Sequence, residues 1–280
     1  MTQPNSIIYN PLNDGISSVG YVSHAGDDLS TVNAARVSLA GYDQWEEWAG
    51  GLKLENGLLL HDSPASIVSA SVLPIERVLS KRSKRLLRYL IRKGHWSPFE
   101  HAFFGVRIKA PIFARTQMYR HWSIKPNEVS GRYVEVKDEC WVPAPGDFRK
   151  QAPSNRQASV PDDGTIDQDA AHLICKRNWE NSYRDYQDLL ALGVTREQAR
   201  IVLPQAMYTE FLFSGTVRNW LHFFGARIHE GAQYETQVFA EAIREIFVQH
   251  FPETLAAYLE IEAERAQNEE YAYRYKELMK

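Results

Sequence analysis

Residues 119–134, YRHWSIKPNEVSGRYV, bring Arg120, His121, Lys125, Asn127, Glu128, Ser130 and Arg132 into thirteen positions between two apolar segments. A packed core cannot bury so many donors and acceptors without partners, so the stretch reads as a solvated loop or as a site. Guanidinium, imidazole, hydroxyl and carboxylate groups in this mixture suit a phosphorylated ligand with hydrogen-bonding edges, such as a nucleotide. Arginine meets phosphate with a rigid fork of donors, and carboxylate and hydroxyl oxygens can accept from ring N–H and sugar O–H groups.

Two elements must position these groups. The run PIFARTQMYRH from Pro111 has a proline suited to a first helical turn and apolar Ile112 and Phe113 behind it, and it predicts a short helix. On that helix Gln117, Arg120 and His121 share one face at i, i+3, i+4. Past Pro126 an extended chain is expected, with Glu128, Ser130 and Arg132 on one side and Val129 and Tyr133 on the other. The two polar groups would flank a bend at residues 123–127. Just upstream, Ala102, Phe104, Val106 and Ile108 alternate with Phe103, Gly105, Arg107 and Lys109, the pattern of a half-buried strand leading into the helix.

The run R-H-W-S-I-K-P-N-E-V-S-G-R-Y resembles the motif R-H-R-x-x-S-x-N-E-x-S-x-R-Y of the flavin-dependent thymidylate synthases, matching at Arg120, His121, Asn127, Glu128, Ser130, Arg132 and Tyr133. Trp122 stands in place of the second arginine, and Lys125 in place of the first serine. The likeness extends to ARVS at 35–38, GHWSPFEH at 94–101, KAPIFARTQ at 109–117, residues 199–204 and ARIHEGAQYE at 226–235. It implies FAD as cofactor, NADPH and methylenetetrahydrofolate as co-substrates, dUMP as substrate, and a homotetramer whose active sites are shared between subunits. Carried over residue by residue, it implies a nucleotide pocket lined by Gln117, Met118, Tyr119, Arg120, Glu128, Val129, Ser130, Gly131, Arg132, Arg200 and Arg227. FAD contacts would come from Ser97, Arg120, His121, Trp122, Glu128, Thr216, Val217, Arg218 and His222. Thr216 and His222 stand where asparagines are expected. Arg227, Ser130 and His95 are the implied catalytic positions, with His95 near flavin and folate.

Methylating a uracil at C5 requires that carbon to be electron-rich. Neither cysteine, Cys140 or Cys175, lies among the clustered polar groups to add to C6 as a thiolate. Stabilising the pyrimidine as its N3/O4 anion is the alternative, and a permanently charged guanidinium can do it. Arg227 suits that role if, as the pattern suggests, it immediately precedes a long helix over 229–250 whose positive end also favours an anion. Ser130 has only Glu128 and Arg132 as polar neighbours in sequence, which favours a donor to ligand over a nucleophile. No GxGxxG follows a strand and no GxxxxGK[ST] occurs, so a flavin would bind in some other way. His222, His229 and Glu230 lack metal-ligand spacing, and no metal site is expected.

The remaining chain supplies the frame. A formal net charge of −3 over 280 residues gives no global attraction to nucleic acid or anionic membrane. Two cysteines without CxxC spacing fit a reducing compartment, each as a small buried hydrophobe. The amino terminus lacks a leader pattern and no window is apolar enough to span a bilayer, so a soluble, cytoplasmic protein is expected. Short strands are expected over 6–24, then a helix capped by Asp28 or Ser30. Ile75 to Lys93 reads as one amphipathic helix closed by Gly94. Its face of Arg77, Lys81, Arg82, Lys84, Arg85, Arg88, Arg92 and Lys93 could bind nucleic acid, but a solvated face is the simpler reading. Residues 40–74 and 140–169 read as insert-like connections. A helix over 168–192 follows, with Leu173, Tyr183, Tyr186 and Leu190 as apolar positions, then a capping box at Thr195–Gln198 opening the turn that carries Arg200. EFLFSGT at 210–216 reads as a strand, Thr216 as the cap of VRNWLHFFG, and the chain beyond Pro252 as a last helix. The order of elements, without regular βαβ alternation, predicts an α+β fold, a single mixed catalytic domain over 1–280 with an antiparallel sheet and long helices. Two other readings stay open: a same-fold flavoenzyme that methylates or hydroxymethylates another uridine nucleotide, prompted by Trp122 and Lys125, and a nucleic-acid-binding module built on the 77–93 helix.

Overall fold

The computed structural model describes residues 8–49, 52–55, 58–59, 75–153, 157–229 and 231–278. In chain order its elements are β1 (Ile8–Tyr9), β2 (Ser18–Ala25), α1 (Asp28–Arg36), β3 (Glu46–Ala49), β4 (Leu52–Glu55), β5 (Leu58–Leu59), β6 (Ile75–Val78), α2 (Lys81–Lys93), β7 (Phe103–Pro111) and α3 (Ile112–Met118). There follow β8 (Lys125–Glu128), β9 (Lys150–Gln151), β10 (Ser159–Val160), α4 (Gln168–Ala191), α5 (Arg196–Ala199), β11 (Tyr208–Thr216), α6 (Val217–Arg227), α7 (Tyr234–Phe247) and α8 (Pro252–Leu278). The chain is α+β and divides into two compact units. One comprises Met1–His24 and Phe104–Phe247, the other Ala25–Phe103 and Val248–Lys280.

The first unit holds a five-stranded sheet in the order β1-β2-β7-β11-β8, with β1/β2 and β11/β8 antiparallel. The alternation read in β7 is real: Phe104, Val106 and Ile108 are buried while Phe103 and Arg107 are exposed. Gly105 is required by its neighbour, because a Cβ there would stand 2.7 Å from the Ser214 hydroxyl of β11. The core is aromatic. Phe104, Phe213, Trp220, Phe223 and Phe247 are all but fully buried and meet largely edge-to-face, and the Trp220 indole N–H donates to the Phe104 carbonyl at 2.9 Å. Thr216 caps α6 as expected, its hydroxyl accepting from the Asn219 N–H. Of the long helix expected over 229–250, Tyr234–Phe247 alone is helical among the described residues.

In the second unit the expected helix over 75–93 divides. Ile75–Val78 pairs with β3 as a strand, and the helix begins at Lys81 because the Ser80 hydroxyl accepts from the Ser83 N–H. The positive φ of Gly94 closes α2 as predicted. The cap of α1 is Asp27, reciprocally bonded with Ser30, rather than either residue expected. Asp28 instead accepts from the N–H groups of Glu253 and Thr254 at the start of α8. Of the insert-like stretch 40–74, residues 60–74 lie outside those described, and the earlier part forms β3, β4 and β5 of an antiparallel sheet completed by β6. The 140–169 stretch contains the β9–β10 pair. Cys140 is buried as expected, but Cys175 is only half-buried and Leu173 is exposed, because α4 buries a single side chain, Tyr186.

Candidate functional site

The bend between α3 and β8 is clamped from α6. Helix α3 stops at Met118, earlier than the pattern suggested, so Arg120 and His121 lie past its end and the shared face with Gln117 does not form. The His121 N–H donates to the Met118 carbonyl at 3.1 Å, and the Ile124 N–H to the His121 carbonyl at 3.0 Å. Asn219 donates its amide to the Ser123 carbonyl at 3.1 Å, while Ile124 is buried against Gly215, where a Cβ would approach within 3.2 Å of its side chain. The turn is thus held by packing and by backbone bonds, leaving its polar side chains to other partners.

Glu128 is the most constrained carboxylate of the site. Its Oε2 accepts from the Tyr119 hydroxyl at 3.0 Å, and Oε1 accepts from Thr209 at 2.7 Å and pairs with Arg115 at 3.2 Å. The Arg115 guanidinium also lies 4.8 Å over the Tyr119 ring. Burial and the Glu128 charge raise the Tyr119 pKa, so its phenol remains a donor. Arg115 and Thr209 were not read from the sequence. Thr209 lies two positions from Phe211, which faces Glu128 across the β11/β8 ladder, so only the register reveals it.

Strand β8 ends at Glu128, and the alternation expected through Arg132 stops there. The Ser130 hydroxyl accepts from the Arg132 N–H at 3.3 Å, and the Ser130 carbonyl from Tyr133 and Val134 at 3.0 and 3.2 Å, which turns the chain. The α4–α5 corner grips this turn: Arg132 Nε pairs with Glu197 at 2.9 Å, Arg196 with Glu135 at 3.3 Å, and Arg200 Nε donates to the Glu197 carbonyl at 3.3 Å. Arg200 itself falls in the 3-10 turn after α5, and Thr195 makes no side-chain cap bond. Gly131 lets Arg200 lie against the backbone, its Cδ 3.4 Å from where a Cβ would be. Between these elements is a cavity of about 340 Å³ lined by Arg115, Glu128, Val129, Gly131 and Arg200, with Lys109, Glu139, Tyr208, Thr209 and Glu210 on its other walls. Lys109 and Glu139 pair at 2.8 Å.

Arg227 is the last residue of α6, and α7 starts only at Tyr234. The helix field at Arg227 is therefore that of a carbonyl end, which favours its own positive charge, and the expected help from a following helix start is absent. Its Nε donates to His121 Nε2 at 2.9 Å. His121 is 7% exposed, its ring 4.9 Å from Phe223 and 5.7 Å from His222. Burial first, then the Arg227 charge and His222, lower its pKa to about 4. Burial, then Arg120, lower the pKa of Arg227.

Trp122 is 82% exposed, and Lys125 lies across the bend from it, Nζ donating to the Trp122 carbonyl at 2.8 Å and sitting 5.6 Å over the indole. Within the first unit Val217 is fully buried and the Thr216 hydroxyl is engaged in capping, while Arg218 and His222 are exposed on α6. Of the sequence-predicted residues, His95 and Ser97 belong to the second unit. There they line a cleft of about 340 Å³ with Ser38, Leu39, Leu90 and His101. Hydroxyl and imidazole donors set around apolar walls fit a flat aromatic ring with polar edges, as in flavin or adenine.

The family model described as thymidylate synthase complementing protein matches residues 21–253. The flavin-dependent thymidylate synthase of Kosmotoga olearia is 42% identical over 235 residues, 84% of this chain and 86% of its own. That of Thermosipho africanus is 40% identical over 239 residues, 85% and 89% of the two chains. Among solved structures, the UMP/dUMP methylase PolB from Streptomyces cacaoi, bound with 5-Br dUMP, is similar with a TM-score of 0.69 at 28% identity, covering 87% of this chain and 94% of that one. The chain belongs to the flavin-dependent thymidylate synthase family.

Proposed function

We propose that the protein converts dUMP to dTMP, with methylenetetrahydrofolate as carbon donor and NADPH as the source of the hydride. FAD, when bound, supplies that hydride to complete the methyl group. The observation that carries the reading is the cavity walled by Glu128, Gly131 and Arg200, in a chain with this family membership. Glu128, immobilised by three partners, presents a fixed carboxylate to a nucleotide. Arg132 and Arg200 supply cations for its phosphate. Both are engaged with Glu197, but the Arg132–Glu197 pair is exposed, and such pairs are worth only ~0–1 kcal/mol, so a phosphate can displace the carboxylate at small cost. Arg227 places its guanidinium against the ring, where it stabilises negative charge on N3 and O4 and makes C5 nucleophilic. The C5 proton leaves after the one-carbon unit is attached.

The cofactor set proposed for FAD is Ser97, Arg120, His121, Trp122, Glu128, Thr216, Val217, Arg218 and His222, with His95 beside it. Lys125, held over Trp122, replaces the missing arginine as a phosphate contact. We further propose a homotetramer with active sites shared between subunits, as the resemblance implies. Among the described residues no helix is long and apolar enough to cross a membrane.

UMP is a second candidate substrate, because the Streptomyces cacaoi methylase has been solved with 5-Br UMP as well as with 5-Br dUMP, and Trp122 and Lys125 depart from the family motif. The test is incubation with FAD, NADPH, methylenetetrahydrofolate and either nucleotide, followed by mass spectrometry. A gain of one CH₂ on dUMP is expected. Modification of UMP alone, or addition of a hydroxymethyl group, would overturn the dTMP reading in favour of the same-fold alternative, and no modification would overturn both.

A further inference from the structure

His121 carries a geometric relation that its place in the motif does not explain. A guanidinium can only donate, so the 2.9 Å contact from Arg227 Nε requires His121 Nε2 to be the acceptor, which fixes the imidazole as its Nδ1–H tautomer. The ring is confined by its surroundings. It is 7% exposed, edge-on to Phe223 at 4.9 Å and to His222 at 5.7 Å, and its backbone is bonded on both sides, to Met118 and Ile124. The bond engages Nε of Arg227, the one donor outside the terminal pair, so Nη1 and Nη2 are not consumed by it. The bond fixes the position of Nε and restricts the swing of the fork.

We propose that His121 is a positioning residue for Arg227, holding the guanidinium at the angle from which its terminal nitrogens meet the pyrimidine. This rests on the reading of Arg227 as the group that faces the nucleotide ring. The charge pattern agrees with the geometry. The groups facing the pair are Arg227 itself, His222 from α6, and Arg120, whose charge acts on Arg227. All are cations or can become cations, so a protonated His121 would put N–H against N–H and break the bond. Burial and the neighbouring Arg227 charge hold the His121 pKa down to about 4, and the acceptor form persists at neutral pH.

Three measurements on the FAD-loaded protein test this. His121→Phe keeps the ring's bulk and loses the acceptor, while His121→Gln can place an amide oxygen near the former Nε2. Loss of orientation in a preorganised donor is expected to lower kcat for dUMP, measured at saturating FAD, by ~10–100-fold in the Phe variant, and the Gln variant should recover most of it. In an Arg227→Ala background His121→Phe should have no further effect on residual turnover or on dUMP affinity measured by calorimetry. NMR titration of the His121 ring should show its depressed pKa rising toward the ordinary histidine range in Arg227→Ala. Equal losses in the Phe and Gln variants, additive effects with Arg227→Ala, or an imidazole pKa indifferent to Arg227 would each overturn the positioning role. If instead Arg227→Ala turned over dUMP normally, the underlying reading of Arg227 would fail while the histidine titration still reported on the pair.

Discussion

Helix α2 and the segment from Arg115 to Arg132 are both crowded with cations, yet the protein uses that charge in opposite ways. On α2 the cations spaced four residues apart each meet an acid on α8: Lys84 with Glu253, Arg88 with Glu260 and Arg92 with Glu264. These are rungs between two helices that pack against each other, and Leu87, Leu90 and Ile91 of α2 are buried. In the bend segment Arg115 pairs with Glu128 on the wall of the cavity, Arg132 reaches Glu197 on α5, and His121 takes a bond from Arg227 at the end of α6. Density of charge therefore does not mark a ligand site. What distinguishes the bend segment is that Arg115 and Glu128 border a cavity of about 340 Å³ with mixed apolar and polar walls, whereas the hollow beside α2 is lined by its own cations, Lys81, Lys84, Arg85 and Arg88.

The largest effect expected from breaking this contrast is at Arg227. Replacing it by Ala removes one preorganised donor and should cut methylation by ~10²–10³ while FAD stays bound. Turnover within a fewfold of wild type would remove Arg227 from the chemistry.

Asp28 sharpens the other side, since the second unit spends even a buried carboxylate on structure. Burial raises its pKa to about 6 despite two N–H donors from α8. The folded state then holds this proton more tightly than the unfolded chain, so the contribution of Asp28 to stability is greatest below the unfolded value and declines as pH rises through the folded one. From pH 4 to pH 7 the wild type should lose up to ~3 kcal/mol relative to Asp28→Asn. Parallel urea midpoints for the two proteins across that range would show that Asp28 titrates normally.

Lys125→Ala should lower FAD affinity by ~1–3 kcal/mol in a fluorescence titration, more at low salt than at high salt. Unchanged FAD affinity with an altered choice between dUMP and UMP would make Lys125 a substrate determinant. Smallest of all, Arg88→Ala should cost at most ~1 kcal/mol of stability, because its partner Glu260 is itself well exposed, and should leave turnover unaffected.

Local patterns made much of the frame legible. The alternation of β7, the Thr216 cap, Gly94 and the α+β order could all be read because each depends on neighbours in sequence. Readings failed where a distant partner decided. Ile75 and Val78 fit a helical spacing, but β3 recruits them as a strand, and Ser80 supplies a start that outweighs the spacing. Ser130 fits an extended alternation, but its hydroxyl competes for the Arg132 N–H and turns the chain. The polar residues of the bend were visible as a cluster. Arg115, Thr209 and the bond from Arg227 to His121 were not, since they depend on sheet register and on contacts more than 100 residues apart in the last case.

Calorimetric titration of dUMP into the FAD-loaded protein tests most directly whether the bend segment, and not the basic helix, holds the nucleotide. Arg132→Ala with Arg200→Ala should weaken binding by at least ~10-fold, the loss expected for charge-assisted bonds to phosphate, whereas Arg88→Ala with Arg92→Ala should match wild type. Binding that survives the first pair of substitutions and collapses with the second would contradict the account.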